Sequence, residues 1–472
     1  YRIIFIILLF IFINMDVPSN FIINDIRKPD EFRKKTFSGY AKKDVFDIFF
    51  KSLDENKLEE ACQWCVELVI SGYYEELWER IISYVAKYIG ILNPLLPYTL
   101  FLRIVKFLKL KKIDVFQQNY LELRNSQEVR NLFCELVCII IMSTKTRKPK
   151  NLPRIKENEF TPSVFQRRLI AKSLDGAEKF VMSDDPQEMR IIINEFSYNL
   201  EEVRYNFENL MYWLSWAFEW EKINQKKNKD FICCIRDING IDKKHCRDFI
   251  WIFWEVILYE TNKRNNETLT KQVRSLYEFF KMKFTPAKKR KRVYLILESL
   301  ELLNINIDTE FIEKNPIIDR YHLLVQACGN INLLYKDKKV NENLTSDVVN
   351  SKIKQEATFV VTKYQDLNML DDFPNREKPQ YLKARDNPRD LTSKKKEKKN
   401  REEISQEKFN LVSQIDTFIM SSGKNPPKKV VSYEEPKKME EESNKTVSLI
   451  NEIESKLNKR KKKNKDVNVF VN

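Results

Sequence analysis

Apolar residues recur along the first third of the chain at the spacing of one helix face. Residues 45–53 place them at i, i+3, i+4 and i+8, and similar stripes cover 58–69 and 77–89. The second and third stripes are followed by Gly72 and Gly90, and glycine is the residue that most often closes a helix. The pattern predicts a succession of amphipathic helices, continued by helices at about 93–110 and 126–142.

The segment 143–162 interrupts this pattern, because it contains three prolines and has no apolar periodicity. Beyond it, residues 205–221 and 249–260 are apolar on nearly every side, which is typical of central helices that others surround. Further helices are predicted at 268–284 and 286–304, and weaker ones reach about residue 369. The last 102 residues are rich in Pro, Lys, Glu, Asn and Ser, a composition typical of disorder.

The predicted fold class is therefore all-α, with two packed helical lobes and a disordered basic tail. The segments along the chain are an irregular lead-in (1–37), a helical domain (38–142), a linker (143–162), a second helical domain with Trp-rich central helices (163–370) and the tail (371–472).

Glycine usage supports this fold class and excludes much chemistry. The chain has 7 glycines in 472 residues, where average usage would give roughly thirty. Neither GxxxxGK[ST] nor GxGxxG occurs, so no phosphate-binding loop is expected. Only His245 and His322 are present, and no Ser/His/Asp or Cys/His arrangement is visible. We predict a protein that is not an enzyme and that needs no cofactor.

The first 14 residues include an apolar run that is shorter than the ~20 residues of a membrane-spanning helix. No small-residue cleavage site follows it, and the first methionine is Met15. We interpret 1–14 as translated upstream sequence, the alternative being a signal-anchor. No membrane association and no secretion are expected.

Eight cysteines are scattered along the chain without the spacing of a disulfide framework. Cys62 and Cys65 form a CxxC, but both fall on the apolar stripe of their helix, so core packing is the preferred interpretation. Cys134 and Cys138 are interpreted in the same way. Cys233, Cys234, His245 and Cys246 match no established zinc pattern. No metal site is predicted.

A basic run is the strongest candidate for function. Thr285-Pro286 is predicted to open a helix whose first turns contain five consecutive cations, where the helix dipole disfavours positive charge. An external phosphate would compensate them. Nucleic-acid contact, a nuclear import signal and a solvated lysine-rich face are the three interpretations. The residues are Lys288, Lys289, Arg290, Lys291 and Arg292.

Two lysine runs in the tail are further candidates for phosphate binding, although solubility explains them almost as well. The protein carries a net charge of +15, and residues 371–472 contain 25 basic and 18 acidic residues. The tail candidates are Lys394, Lys395, Lys396, Lys461, Lys462 and Lys463. The stripe Trp213, Trp216 and Trp220 has the spacing of a base-stacking platform, but core packing is the preferred interpretation.

Residues 38–97 resemble the helical C-terminal domain of clamp-loader-related AAA+ ATPases of the MgsA type. The matching features are Lys51-Ser52, Asp54, Ala-Cys-Gln-Trp in a helix at 61–64, Gly72, and a helix that closes in Ile-Gly-Ile-Leu-Asn-Pro at 89–94. The chain has no ATPase core, so the resemblance implies a helical assembly module, similar to a clamp-loader collar, and no catalytic residue.

Residues 38–369 are also similar to uncharacterised helical proteins of nucleocytoplasmic giant viruses. The features are the opening FSGY.K.DVF, then LEEAC.W..ELV.SG, LELRN...VR.LF.E.VCI, DDP.E....INE and W..W..E.E. This resemblance implies a viral protein without an assigned activity.

The function expected from these observations is that of a viral accessory protein in DNA replication or genome handling, which binds nucleic acid, DNA in preference to RNA. The alternative is a structural or virion-associated scaffold that binds other viral proteins. The expected location is the host cytoplasm, at viral factories, or the nucleus.

Overall fold

The computed structural model describes residues 17–25, 27–113, 120–229, 231–318 and 320–342. This described part is 67% helical, contains 16 packed α-helices and has no sheet, so the all-α prediction is confirmed. One isolated antiparallel bridge joins Lys35 and Ala41. The predicted lead-in up to residue 16 and the predicted tail lie outside the described residues.

The described residues form two units. The first contains 17–148 and 312–342, and the second contains 149–311. The chain leaves the first unit inside the segment that the sequence analysis treats as a linker. Residues 312–342 belong to the first unit, although the sequence analysis groups them with the second helical domain.

The helices of the first unit mostly follow the apolar stripes. They are α1 (Lys42–Asp54), α2 (Leu58–Ile70), α3 (Tyr74–Tyr84), α4 (Leu96–Ile113), α5 (Leu121–Asn125), α6 (Gln127–Met142) and α16 (Tyr321–Lys339). Ser126 caps the start of α6, where its hydroxyl accepts the Val129 amide at 3.3 Å. Gly72 follows α2 with a φ of 75°, and Gly90 follows the turn after α3 with a φ of 44°. Both angles lie in the left-handed region that favours glycine.

The core of the first unit lies between α2, α6 and α16. Arg124 and Arg130 are buried there, and their guanidinium groups donate to backbone carbonyls, including Ile70 O at 2.7 Å and Phe21 O at 3.0 Å. Buried arginines are stable only when their donors are satisfied, so these bonds connect the lead-in to the helices.

The second unit is built around two Trp-rich helices. Its helices are α7 (Pro162–Arg168), α8 (Asp175–Glu178), α9 (Gln187–Leu200), α10 (Phe207–Lys226), α11 (Ile250–Lys263), α12 (Glu267–Lys281), α13 (Pro286–Lys289) and α14 (Val293–Leu302); α15 (Thr309–Lys314) spans the boundary between the units. Asn206 and Asn266 cap α10 and α12 by accepting the amides of Asn209 and Leu269.

The predicted helix 286–304 is two helices. After α13, the amide of Arg292 donates to the carbonyls of Lys288 and Lys289 at 3.0 and 3.2 Å, which closes a turn. The chain then starts again as α14. The basic run therefore lies on the end of a four-residue helix and the following turn, and not inside the first turns of a long helix.

Candidate nucleic-acid interface

Lys289 is the buried residue of the basic run, and its side chain is 4% exposed. Its ammonium pairs with Asp248 at 2.8 Å and with Glu221, and it lies 4.3 Å from the centre of the Phe249 ring. Burial raises the pKa of the Glu221 carboxyl, and the charge of Lys289 opposes that shift. The anion that compensates this lysine is therefore supplied by the protein itself.

Arg292 also points its charge inward. Its guanidinium donates to the carbonyls of Phe280 and Met282 at 2.8 and 2.6 Å. These carbonyls lie at the end of α12, where the helix dipole favours positive charge. Arg292 thus fixes the turn before α14 to the end of α12.

Arg290 and Lys291 lie between these two anchors and are exposed. The Arg290 guanidinium lies 5.0 Å from the centre of the Phe218 ring and 3.4 Å from a Glu219 carboxylate oxygen, with 55% of its side chain exposed. An ion pair of that exposure contributes little and leaves the guanidinium available to a stronger anion. Lys288 is half-buried and makes internal contacts of its own.

The structure therefore assigns four of the five cations to two groups. Lys289 and Arg292 hold the segment in place, while Arg290 and Lys291 face outward. No sequence signal indicates this division, since Glu221 and Asp248 lie 68 and 41 residues from Lys289 in the chain. The six tail lysines, Lys394, Lys395, Lys396, Lys461, Lys462 and Lys463, lie outside the described residues.

The Trp stripe belongs to the core of the second unit. Trp213, Trp216 and Trp220 are each at most 1% exposed, and the rings of Trp216 and Trp220 stack on each other at 5.0 Å. These rings have no free face for a nucleic-acid base, which agrees with the preferred interpretation of the sequence.

Cysteines from three helices meet in the first unit. The thiols of Cys62, Cys138 and Cys328 lie around the Cys134 thiol. The neighbouring thiols, that of Cys138 first, and burial raise the pKa of the Cys134 thiol well above its usual value; burial, with a smaller contribution from Cys62, does the same for Cys65. A thiol held neutral in this way is a poor nucleophile and a poor metal ligand.

The crevice beside this thiol cluster is too narrow to admit a water molecule, and Arg130, Phe133 and Tyr335 contribute to its walls. Among the described residues, no group of three or more His, Cys, Asp or Glu side chains is arranged to hold a metal ion. The thiols lie together in the core of the first unit. The spacing of the cysteines in the sequence does not predict that they are neighbours.

Glu298 on α14 is a buried carboxyl that the sequence analysis does not single out. It is 1% exposed, and neither oxygen has a hydrogen-bond partner among the described residues. Burial, together with the nearby charge of Glu301, raises the pKa of Glu298 to about 8. A strongly shifted carboxyl often marks an active site, but Glu298 does not line the crevice beside the thiol cluster, which is described above. The sequence feature that could have identified Glu298 is its place as the single acidic residue in the apolar run 293–300.

No described helix combines the length and the apolar character that crossing a membrane requires. No protein-family model matches the chain, and comparison with curated proteins and with solved structures finds no match. The resemblances to the clamp-loader-related domain and to giant-virus proteins stay predictions.

Proposed function

We propose that this is a non-enzymatic helical protein that binds nucleic acid through the exposed part of the segment 288–292. The observation that carries the proposal is the fixed exposure of Arg290 and Lys291. Their neighbours on both sides are tied to buried acids and carbonyls, so the two outer cations are held in place before any ligand arrives.

Electrostatic complementarity supports the phosphate backbone as the ligand. Arg290 and Lys291 are adjacent and exposed, and Glu219 lies 3.4 Å from the Arg290 guanidinium. Two adjacent exposed cations favour a polyanion, and an arginine and a lysine suit contacts to phosphate that do not depend on base sequence. The tail lysines, and a role in viral DNA replication or genome handling, belong to the same proposal.

The test is the affinity of the full-length protein for a fluorescent DNA duplex at physiological salt. We expect non-specific binding with a Kd on the order of 10⁻⁵ M, weakened about tenfold by R290Q/K291Q. The matched control is R33Q/K34Q, which removes an adjacent exposed Arg-Lys pair from the first unit and should leave the affinity unchanged. Equal effects of the two variants would reject the proposed interface.

A variant with the six tail lysines changed to glutamine separates the tail from the segment. If this variant alone loses binding, the tail is the interface and the segment is not. A parallel titration with single-stranded RNA of the same length measures the preference for DNA.

A second candidate function is that of a structural, virion-associated scaffold. The observation that favours it is that Lys289 pairs with Glu221 and Asp248 inside the protein. Fewer cations of the basic run are therefore available to phosphate than the sequence predicts. Recovery of the protein from purified virions, together with no measurable DNA binding at low salt, would support the scaffold.

A further inference from the structure

The turn between α12 and α13 holds a lysine in an unusual backbone conformation. The Phe284 amide donates to the Lys281 carbonyl at 3.0 Å, which closes a four-residue turn directly after α12. Met282 has a φ of −49° and a ψ of 112°, and Lys283 has a φ of 46°. These angles are typical of a type II turn, whose third residue is normally glycine or asparagine because its φ is positive.

Four other helices among the described residues have a residue of positive φ at the same place, two positions after the helix ends. The helices are α1, α2, α10 and α11, and the residues are Asn56, Gly72, Asn228 and Asn265. Glycine has no Cβ to clash in this region, and asparagine tolerates it better than most side chains. Of these five helix ends, only that of α12 carries a long side chain at the strained position.

The strain at Lys283 is not offset by burial of its side chain. A non-glycine residue in the left-handed region destabilises the fold, and such strain is concentrated at functional sites. The Lys283 side chain is exposed, so it adds nothing to the core. Asparagine would fit the same turn with less strain and would lack the ammonium. What lysine adds to this turn is therefore its positive charge.

The strained turn is attached to the basic run. The Arg292 guanidinium donates to the Met282 carbonyl at 2.6 Å, so one side chain ties the two segments together. Lys283 directly follows one end of this contact, and Lys291 directly precedes the other. The ring of Phe284, the next residue in the turn, is buried. The turn therefore presents a charge to a ligand and no aromatic surface for a base.

We infer that Lys283 is a third cation of the nucleic-acid interface, and that its ammonium contacts a phosphate of the same strand as Arg290 and Lys291. This inference rests on the proposed function of those two residues. It extends the interface from one adjacent pair to cations on two turns that Arg292 holds together. A nucleic-acid strand carries one phosphate about every 3.4 Å along its axis, so it can contact both turns at once, whereas a single phosphate ion contacts one.

The variant K283N should change stability and binding in opposite directions. Asparagine tolerates the positive φ, so the thermal midpoint of the second unit should rise by about 2–4 °C. The lost ammonium should lower the magnitude of the slope of log K against log salt concentration on duplex DNA by about 0.9. The Kd at physiological salt should rise about threefold, as expected for one phosphate contact. Calorimetry and fluorescence titration of the full-length protein measure the two effects.

Two further variants separate the charge from the strain. K283Q keeps a long side chain in the strained turn and removes the charge, so it should weaken DNA binding as K283N does and leave the thermal midpoint unchanged. K283R keeps both the charge and the strain, so its salt dependence and its thermal midpoint should equal those of the wild type.

The matched control is N265K, which places a lysine at a second exposed position with positive φ. Asn265 has a φ of 50° and lies just before α12, at the opposite end of that 15-residue helix from Lys283 and about 22 Å away. N265K should lower the thermal midpoint of the second unit by about 2–4 °C, which measures the strain of a lysine in this conformation. It should leave the salt dependence of DNA binding unchanged.

The outcomes distinguish the role of Lys283 from the proposed function. If R290Q/K291Q lowers the slope and K283N does not, the role of Lys283 is overturned and the proposed interface stands. If neither variant changes the slope, both fail together. A K283N variant that is less stable than the wild type would also overturn the inference, because contacts within the chain would then explain why lysine occupies this turn.

Discussion

Glu67 in the first unit and Glu298 in the second are both buried glutamates, but their surroundings differ. Glu67 accepts the Ser38 amide and hydroxyl at 2.8 Å each and pairs with Lys338 at 2.9 Å. Glu298 has no hydrogen-bond partner among the described residues. Burial alone would raise both pKa values, but the charge of Lys338 and the hydrogen bonds lower that of Glu67, whereas that of Glu298 rises to about 8.

Other carboxyls of the second unit have raised pKa values, as Glu298 does. Burial raises the pKa values of Glu195, Glu221 and Glu301. The shift is opposed by backbone amides at Glu195, by Lys289 at Glu221 and by Lys150 at Glu301. The surroundings of Glu67 lower its pKa, whereas burial raises the pKa of Glu298 and of these three carboxyls. The comparison teaches that burial has opposite consequences for pH dependence at Glu67 and at Glu298.

Removing Lys338 is the strongest way to break this comparison. K338M leaves the Glu67 carboxylate buried without its cation, so we expect the first unit to lose about 3–5 kcal/mol of unfolding free energy. Hydrogen exchange followed by mass spectrometry in denaturant assigns the loss to a unit, and the second unit serves as the internal control. The double variant K338M/E67Q removes the uncompensated charge and keeps an acceptor for the Ser38 amide, so it should recover most of the loss; without recovery, the pair is not the cause.

A change of pH should separate the units. The folded pKa of Glu298 lies above its unfolded value, so its stabilising contribution is full below about pH 4.5 and is lost as the pH rises through 8. Between pH 6 and 8 the second unit should lose about 2 kcal/mol. The first unit should be insensitive there, because Glu67 titrates below 4.5 in the folded state. E298Q should remove the part of the loss that Glu298 contributes, leaving the part from Glu255, whose pKa burial raises to about 7, and the exposed control E208Q should remove none.

An apolar residue at position 298 gives a smaller effect of opposite sign. E298M removes an unpartnered buried carboxyl at similar side-chain volume, so the second unit should gain about 1–3 kcal/mol at pH 8. The gain should shrink at pH 5, where the carboxyl is protonated in the folded protein. A gain that does not depend on pH would mean that packing, and not ionisation, limits this site.

Helices with an apolar stripe and a local capping signal could be predicted from the sequence. The stripe ahead of Gly72 and the helix after Ser126 have close counterparts in α2 and α6, because periodicity and capping are properties of neighbouring residues. The break between α13 and α14 could not be predicted, since it depends on where Lys289 and Arg292 find their partners.

The candidate interface shows the same limit. The sequence identifies five consecutive cations, but their division into anchors and exposed groups depends on Asp248, on Glu221 and on carbonyls at the end of α12. Likewise, the place of 312–342 in the first unit depends on the long-range pair between Glu67 and Lys338. Such pairings join distant parts of the chain and have no periodic signature.

The salt dependence of DNA binding tests the central proposal most directly. Each phosphate contact contributes about 0.9 to the slope of log K against log salt concentration on duplex DNA, so R290Q/K291Q should reduce the magnitude of the slope by nearly two. R33Q/K34Q should leave the slope at the wild-type value. An unchanged slope in R290Q/K291Q would contradict the assignment of Arg290 and Lys291 to the nucleic-acid interface.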